Sequence, residues 1–182
     1  MTHMNTEPTP TPPMTGTDGT SPAATVVSRP IGVIHSRFTD PQGMPIQSAG
    51  APQESARLEV FAEFAAGLKD IEGFEYLILL THLHRCPHEK LEVVPFLDDH
   101  SHGVFATRAP ARPNRIGLSI VRLESVQGRV LHFSGNDMLD QTPVLDIKPY
   151  VPRFDVRSTE RIGWFAARVD QVAQTRADDR MA

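Results

Sequence analysis

The sequence predicts a mainly β protein: a small β-barrel of about seven short strands with a few short helices, including a C-terminal one. Three observations carry that expectation. Apolar and β-branched residues come in short runs bounded by Gly, Pro, Asn and Asp. The longest apolar run, "YLILL" at 76–80, is strand-sized. Helical spacing appears only near the C-terminus, where Ile162, Phe165, Val169 and Val172 recur at three and four behind a Ser158 or Thr159 cap.

Residues 1–27 are dominated by Thr, Pro, Gly, Ser and Ala. A segment with so little to bury cannot offset its ordering entropy, so a disordered tail is expected. A barrel domain over 28–157 follows, then a helix and tail over 158–182. Within the domain, "IGVIHS" (31–36) and "RLEVF" (57–61) read as strands, separated by "PQGMPIQSAGAPQ", a loop with three prolines and two glycines. "EFAAGLKDIEGF" holds one short helical turn. "FEYLILLTHLH" (74–84) is apolar on both faces at its start and should be a central strand. "KLEVVPF" (90–96) alternates, and Pro95 puts it near an edge. "GLSIVRLESV", Gln127–Gly128 and "RVLHFS" form a hairpin with a tight turn. "PVLDI" (143–147) is the seventh strand.

Hydrophobic content of 40% and charged content of 22% over 182 residues fit one globular domain. No stretch nears the roughly 18 apolar residues of a membrane span, and no secretory leader pattern is visible. The single cysteine, Cys86, rules out an internal disulfide and points to a reducing, cytoplasmic compartment. The net charge of −4 hides a local patch: between Ser101 and His132 stand five arginines and one acid.

Three segments carry candidate chemistry. In "THLHRCPH", His82, His84, Cys86 and His88 fall on every second residue, which suits zinc ligands by type. On a strand they form a row about 7 Å apart, not a tetrahedron, and Pro87 breaks the strand, so no metal is expected. His84 alone, at the strand end, is the better site candidate, set against a hydrogen-bonded rim histidine. In "ATRAPARPNRIG", Pro110 and Pro113 stiffen a loop bearing Arg108, Arg112 and Arg115, whose planar forks suit carboxylate or phosphate. In the third segment, 135–155, Asp137, Asp140 and Asp146 lie close to Lys148 and Tyr150. They either work as acid, base or ligand acceptors, or merely cap turns. No glycine-rich phosphate loop and no hydrolase elbow is present.

Four stretches in order, "PIGVIHS", "GLKDIEGFEYLILLTHLHR", "GVFATRAPARPNRIGLSIVRL" and "DMLDQTPVLDIKPYVPRFD", resemble the TsaA-like (TrmO, VirR) family over about residues 29–156. The resemblance implies a homodimeric β-barrel that binds S-adenosyl-L-methionine without a Rossmann domain and methylates N6 of the modified adenosine at position 37 of tRNA. By that resemblance the cofactor would meet Gln47, Ser48, Ala49, Leu83, His84, Arg108, Leu118, Gly135, Asn136, Asp137 and Met138. Leu83, Leu118 and Met138 would sandwich adenine. Asp140, Asp146 or Tyr150 would assist the acceptor N6, and Arg112, Arg115 and Arg122 would hold anticodon-loop phosphates. Two motifs depart from the family pattern: "RPNPIG" reads "RPNRIG" and "DGTP" reads "DQTP". A noncatalytic S-adenosyl-L-methionine-binding module and a His/Cys metal-binding barrel are the rival readings.

Overall fold

The computed structural model describes residues 26–181, so the tail expected at the N-terminus lies outside the described residues apart from its last two. Six strands form a closed antiparallel ring in the order β1 (Gly32–His35), β2 (Ser55–Val60), β7 (Val130–Ser134), β6 (Ile116–Gln127), β3 (Tyr76–His82) and β8 (Pro143–Pro149). The β8 strand returns to β1 through the pairs Gly32–Val144 and Val33–Pro143. The expected hairpin forms with its turn one residue later, at Gly128–Arg129, since Gln127 ends β6 and pairs with Val130; Gly128 has φ +62°, where a side chain would be strained.

Alternation dictates which residues fill the ring. Ile34, Leu58, Val60, Leu77, Leu79, Val121, Leu131, Phe133 and Val144 all point inward and are buried, and Met138 joins them from the loop after β7. Each such side chain contributes roughly 1.5–3 kcal/mol by leaving water. Glycine is required at position 32, because a Cβ there would stand 2.6 Å from the Glu59 carbonyl oxygen.

The expected strand at 90–96 is reduced to β4 (Glu92–Val93), which pairs with β5 (His102–Gly103) outside the ring. Pro95 has no N–H to give a ladder, and the chain turns there, the Asp98 N–H donating to the Pro95 carbonyl at 3.1 Å. Together with Cys86, Val104, Ala109 and Ala111, Val93 builds a second, small apolar cluster in the 86–111 lobe.

The C-terminal spacing does not yield one continuous helix. After a single α-turn, α1 (Pro152–Asp155), the chain forms short 3-10 turns at Gly163–Ala167, Val169–Gln171 and Asp179–Met181. Gly163 at φ +62° breaks any helix there. Among the described residues no helix is long and apolar enough to cross a membrane.

Both departures from the family motif fall on left-handed backbone: Arg115 has φ +50° and Gln141 φ +62°. Proline, locked near −65°, does not fit the conformation found at 115, so the loop takes a path that the "RPNPIG" form would not take. At 141 the family's glycine is the residue that the backbone favours. Gln141→Gly is therefore expected to stabilise the fold by about 0.5–1 kcal/mol, read as a higher urea midpoint with an unchanged m-value.

Candidate functional site

The site is built at the end of the barrel where β3 stops and β6 starts. Thr81 pairs with Gly117 across this ladder, and Leu79 with Ser119. Gly117 must be small, since a Cβ would lie 2.5 Å from Thr81 Oγ1 and 3.0 Å from Leu83 Cδ2. The Leu83 N–H donates to the Arg115 carbonyl at 2.8 Å, which ties the arginine loop to the end of β3.

Three loops converge on this end. Arg108 Nη1 donates to Gln47 Oε1 at 2.8 Å, joining the arginine loop to the early proline-rich loop. Asp137 accepts hydrogen bonds from the Ser119 hydroxyl and from the Ser48 backbone N–H. Gly135, at φ +81°, brings its backbone close to Ser48, with its ideal Cβ position 3.8 Å from the Ser48 carbonyl oxygen. Ala49 stands exposed at the centre of the 3-10 turn Ser48–Gly50.

Electrostatics give Asp137 its character. Burial pushes its carboxyl up to about 6, against the opposing pull of the Ser119 and Ser48 hydrogen bonds and the Arg108 charge. The acid is thus held among polar groups but short of positive partners. An ammonium or a pair of hydroxyls brought by a ligand would supply what it lacks, and the exposed Arg108 fork would pair with a carboxylate. Leu118, next to Ser119 in the chain but on the outer face of β6, has 45% of its surface exposed. The arrangement is an open shelf. Two hollows among the described residues, of about 290 and about 520 Å³, lie elsewhere, one lined by Cys86, Lys90 and Ala111 and the other by His35, Arg57 and His132.

Other predicted residues are placed differently. Asn136 is fully buried, and its side chain is consumed by Ser36 Oγ, the Met138 carbonyl and the Met138 N–H, so it holds the loop together and has nothing left for a ligand. Met138 points into the barrel core and cannot sandwich a base with Leu83 and Leu118. His84 is half-buried in the turn after β3, its backbone N–H bonded to the His82 carbonyl. Burial, with Arg85 and His82 adding to it, lowers its pKa below the ordinary histidine value. His82, His84, Cys86 and His88 are not drawn into a cluster; among the described residues the one group with metal-ligand spacing is Asp98, Asp99 and His100.

The three expected acceptor-assisting groups are not gathered in one centre. Asp140 is a turn cap: its carboxylate accepts from the Ser36 N–H at 3.0 Å, the main reason its pKa is held down, and from Gln141 Nε2 at 3.2 Å. Asp146 pairs with Lys148 at 2.7 Å. Tyr150 stacks edge-on against Tyr76, with centroids 6.2 Å apart. The arginines are also occupied. Arg112 turns inward and donates to the Val104 and Thr107 carbonyls at 3.0 and 2.9 Å. Arg115 reaches the Pro87 carbonyl at 3.4 Å. Arg122 pairs with Glu75 at 3.2 Å and sits opposite Tyr76, six residues or roughly 20 Å along the ladder from Ile116.

Ser119 is the site residue that sequence reading missed. Its signal was present: a hydroxyl at an inward position of an otherwise apolar strand face, "GLSIV".

A closed antiparallel barrel carrying a polar, loop-built shelf at one end defines a small ligand-binding β-barrel. The chain belongs to the family of the tRNA-methyltransferase O N-terminal domain, whose model matches residues 33–156. It is 52% identical over 152 residues to a probable S-adenosyl-L-methionine-binding protein of Pyrococcus abyssi, covering 84% of this chain and 83% of that one. It is 36% identical to the mouse tRNA (adenine(37)-N6)-methyltransferase, over 73% of this chain and 32% of that enzyme. The crystal structure of TrmO from Pseudomonas aeruginosa superposes with a TM-score of 0.65 at 39% identity, over 78% of this chain. The chain spans 63% of that protein's length.

Because the folded state holds the Asp137 proton more tightly than the unfolded chain does, this group's contribution to stability falls as pH rises from 3.8 to about 6. Asp137→Asn removes the buried charge. It is expected to raise stability at pH 7.5 by roughly 1–2 kcal/mol, with no gain at pH 3.5, as read by thermal melting at the two pH values.

Proposed function

We propose that this chain is an S-adenosyl-L-methionine-dependent methyltransferase acting, as a homodimer, on N6 of the modified adenosine at position 37 of tRNA. One observation carries the cofactor half: Arg108 and Asp137, of opposite charge, meet on one shelf with Gln47, Ser48 and Ser119 between them. That pattern matches a ligand bearing a carboxylate at one place and amino or hydroxyl groups at another. The tRNA half is supported by the family and by the names of its relatives.

The ligand supplies a methyl group already activated by its sulfonium, so the protein's task is chiefly alignment. Arg108 would fix the carboxylate end. Asp137, ionised above pH about 6, would accept from the polar hydrogens of the ligand. Leu83 and Leu118 offer apolar surface for a flat ring, and the backbone of Gly135 and Asp137 remains able to read its edge. Asp140, Asp146 and Tyr150 are engaged with Ser36, Lys148 and Tyr76, so help in removing the N6 proton is not assigned to them in the same protomer.

The homodimer is supported by an apolar stripe on the barrel exterior that begins at the shelf. Ile116, Leu118 and Ile120 are 47%, 45% and 36% exposed on β6, with Ile78 and Leu80 opposite them on β3. A second copy laid on this face would roof the open shelf. A charge there would be costly to bury, so Ile120→Glu is expected to shift the protein to a monomer in sedimentation velocity.

Calorimetry with S-adenosyl-L-methionine should give one site per protomer, with affinity that rises with pH through about 6 as Asp137 ionises. Arg108→Ala should weaken it about tenfold or more. Transfer of labelled methyl to tRNA carrying the modified adenosine then tests the acceptor. Binding without transfer would establish the noncatalytic module, and no binding would overturn the proposal.

A further inference from the structure

The family match ends at residue 156, yet the chain continues through a fully exposed stretch, 152–163, to a segment that returns to the barrel end. Its contacts fall on the two loops whose later residues build the shelf. On the arginine side, Trp164 Nε1 donates to the Ala106 carbonyl at 2.9 Å, two residues before Arg108. The Trp164 ring stacks on His102 at 4.7 Å. Arg168 reaches Asp98 at 3.4 Å, and that carboxylate also takes His102 Nε2 at 3.2 Å. Arg180 donates to the Pro95 and Asp98 carbonyls.

On the other side, the Gly43 N–H donates to the Ala177 carbonyl at 2.8 Å and the Ala177 N–H to the Met44 carbonyl at 2.9 Å. Pro45 forms a bridge with Arg176. Between these points Val172 presses on Gly50 so closely that a Cβ at 50 would stand 2.7 Å from the Val172 carbonyl oxygen. Gln47 and Ser48 lie inside the stretch pinned at Gly43, Met44, Pro45 and Gly50.

We propose that residues 163–181 are a clasp that ties the 43–50 loop to the 95–108 loop and so pre-orders the shelf, with Trp164 and Arg168 as positioning residues that never touch the ligand. The inference that this ordering raises affinity rests on the S-adenosyl-L-methionine reading; the tying of the loops does not. The physical reason is entropic. A loop held in its binding conformation before the ligand arrives loses no backbone freedom on binding, whereas a released one does. The shelf's own side chains tie the two loops weakly: among the described residues one hydrogen bond, Arg108 to Gln47, joins them directly there.

The test uses the full chain and three variants that each cut the clasp at a different point: Trp164→Ala, Arg168→Ala and Gly50→Ala. Amide hydrogen exchange without ligand should accelerate at Gly43, Gly50 and Thr107, while Leu79 and Leu131 in the barrel keep their protection. Affinity for S-adenosyl-L-methionine should fall about tenfold in the same variants, and Trp164→Phe, which keeps the stacking, should recover most of it. Trp164 is the one tryptophan of the sequence, so its emission reports directly whether the clasp is docked. Faster loop exchange with unchanged affinity would overturn the positioning role. Loss of protection throughout the barrel would overturn it too, reducing the clasp to general support. Failure of the unaltered chain to bind S-adenosyl-L-methionine would instead overturn the functional reading, and the exchange data alone would then decide whether the loops are tied.

Discussion

The structure depends on the closure of the sheet by a very short seam. Only two register pairs join β1 to β8, reinforced by the Ile31 and Ile34 N–H groups bonding to the Val144 and Thr142 carbonyls. Closure removes both sheet edges and makes one core of the inward residues. It also brings the ends of β3 and β6 and the loop after β7 to the same rim. Residues 48, 108, 119 and 137 are far apart in the chain and adjacent in space for that reason. With the seam open, the Ser48–Asp137 and Ser119–Asp137 contacts would have nothing to hold them in register.

Around the rim, polar groups divide into those that hold the loops and those left to face a ligand. Arg112, Asn136 and Asp140 belong to the first kind, since each side chain is taken up by nearby backbone or hydroxyl groups. Arg108 and Asp137 belong to the second: one is exposed, the other is desolvated with few positive partners. Residue type does not separate the two kinds. The arginine between loop prolines 110 and 113, Arg112, is aimed at the protein's own carbonyls.

Much of the barrel could be read from alternation, because an inward-facing row of Leu, Val, Ile and Phe at every second residue leaves few other folds. The strands expected at 74–84 and 143–147 lie where that logic puts them, as Tyr76–His82 and Pro143–Pro149, and the hairpin turn falls one residue beyond its expected place. The C-terminal spacing reported neither a helix nor a buried face: Ile162 and Val169 are 40% and 44% exposed, Trp164 docks on Ala106 and His102 while Val172 presses on Gly50, and Gly163 breaks the chain's path. Within the candidate site, Arg108 and Asp137 were marked by residue type and placement, one in a proline-framed loop and the other in a cluster of carboxylates, whereas Gln47 and Ser48 were legible only through family resemblance. Periodicity alone could have marked Ser119, a hydroxyl where a core residue belongs. What no pattern in the chain announced was which carboxylates would be satisfied by local N–H groups, as Asp140 is by Ser36, since that follows from three-dimensional placement.

Asn136 illustrates how much can hang on one amide. Both of its Nδ2 hydrogens are committed, to a hydroxyl and to the Met138 carbonyl, and its Oδ1 accepts the Met138 N–H. Deamidation of that side chain to a carboxylate, whenever the loop opens to water, would set oxygen against oxygen at the Met138 carbonyl and bury an unneutralised charge on reclosing. Chemical ageing at this one atom would therefore spring the bend that carries Asp137 while leaving every strand of the barrel chemically intact.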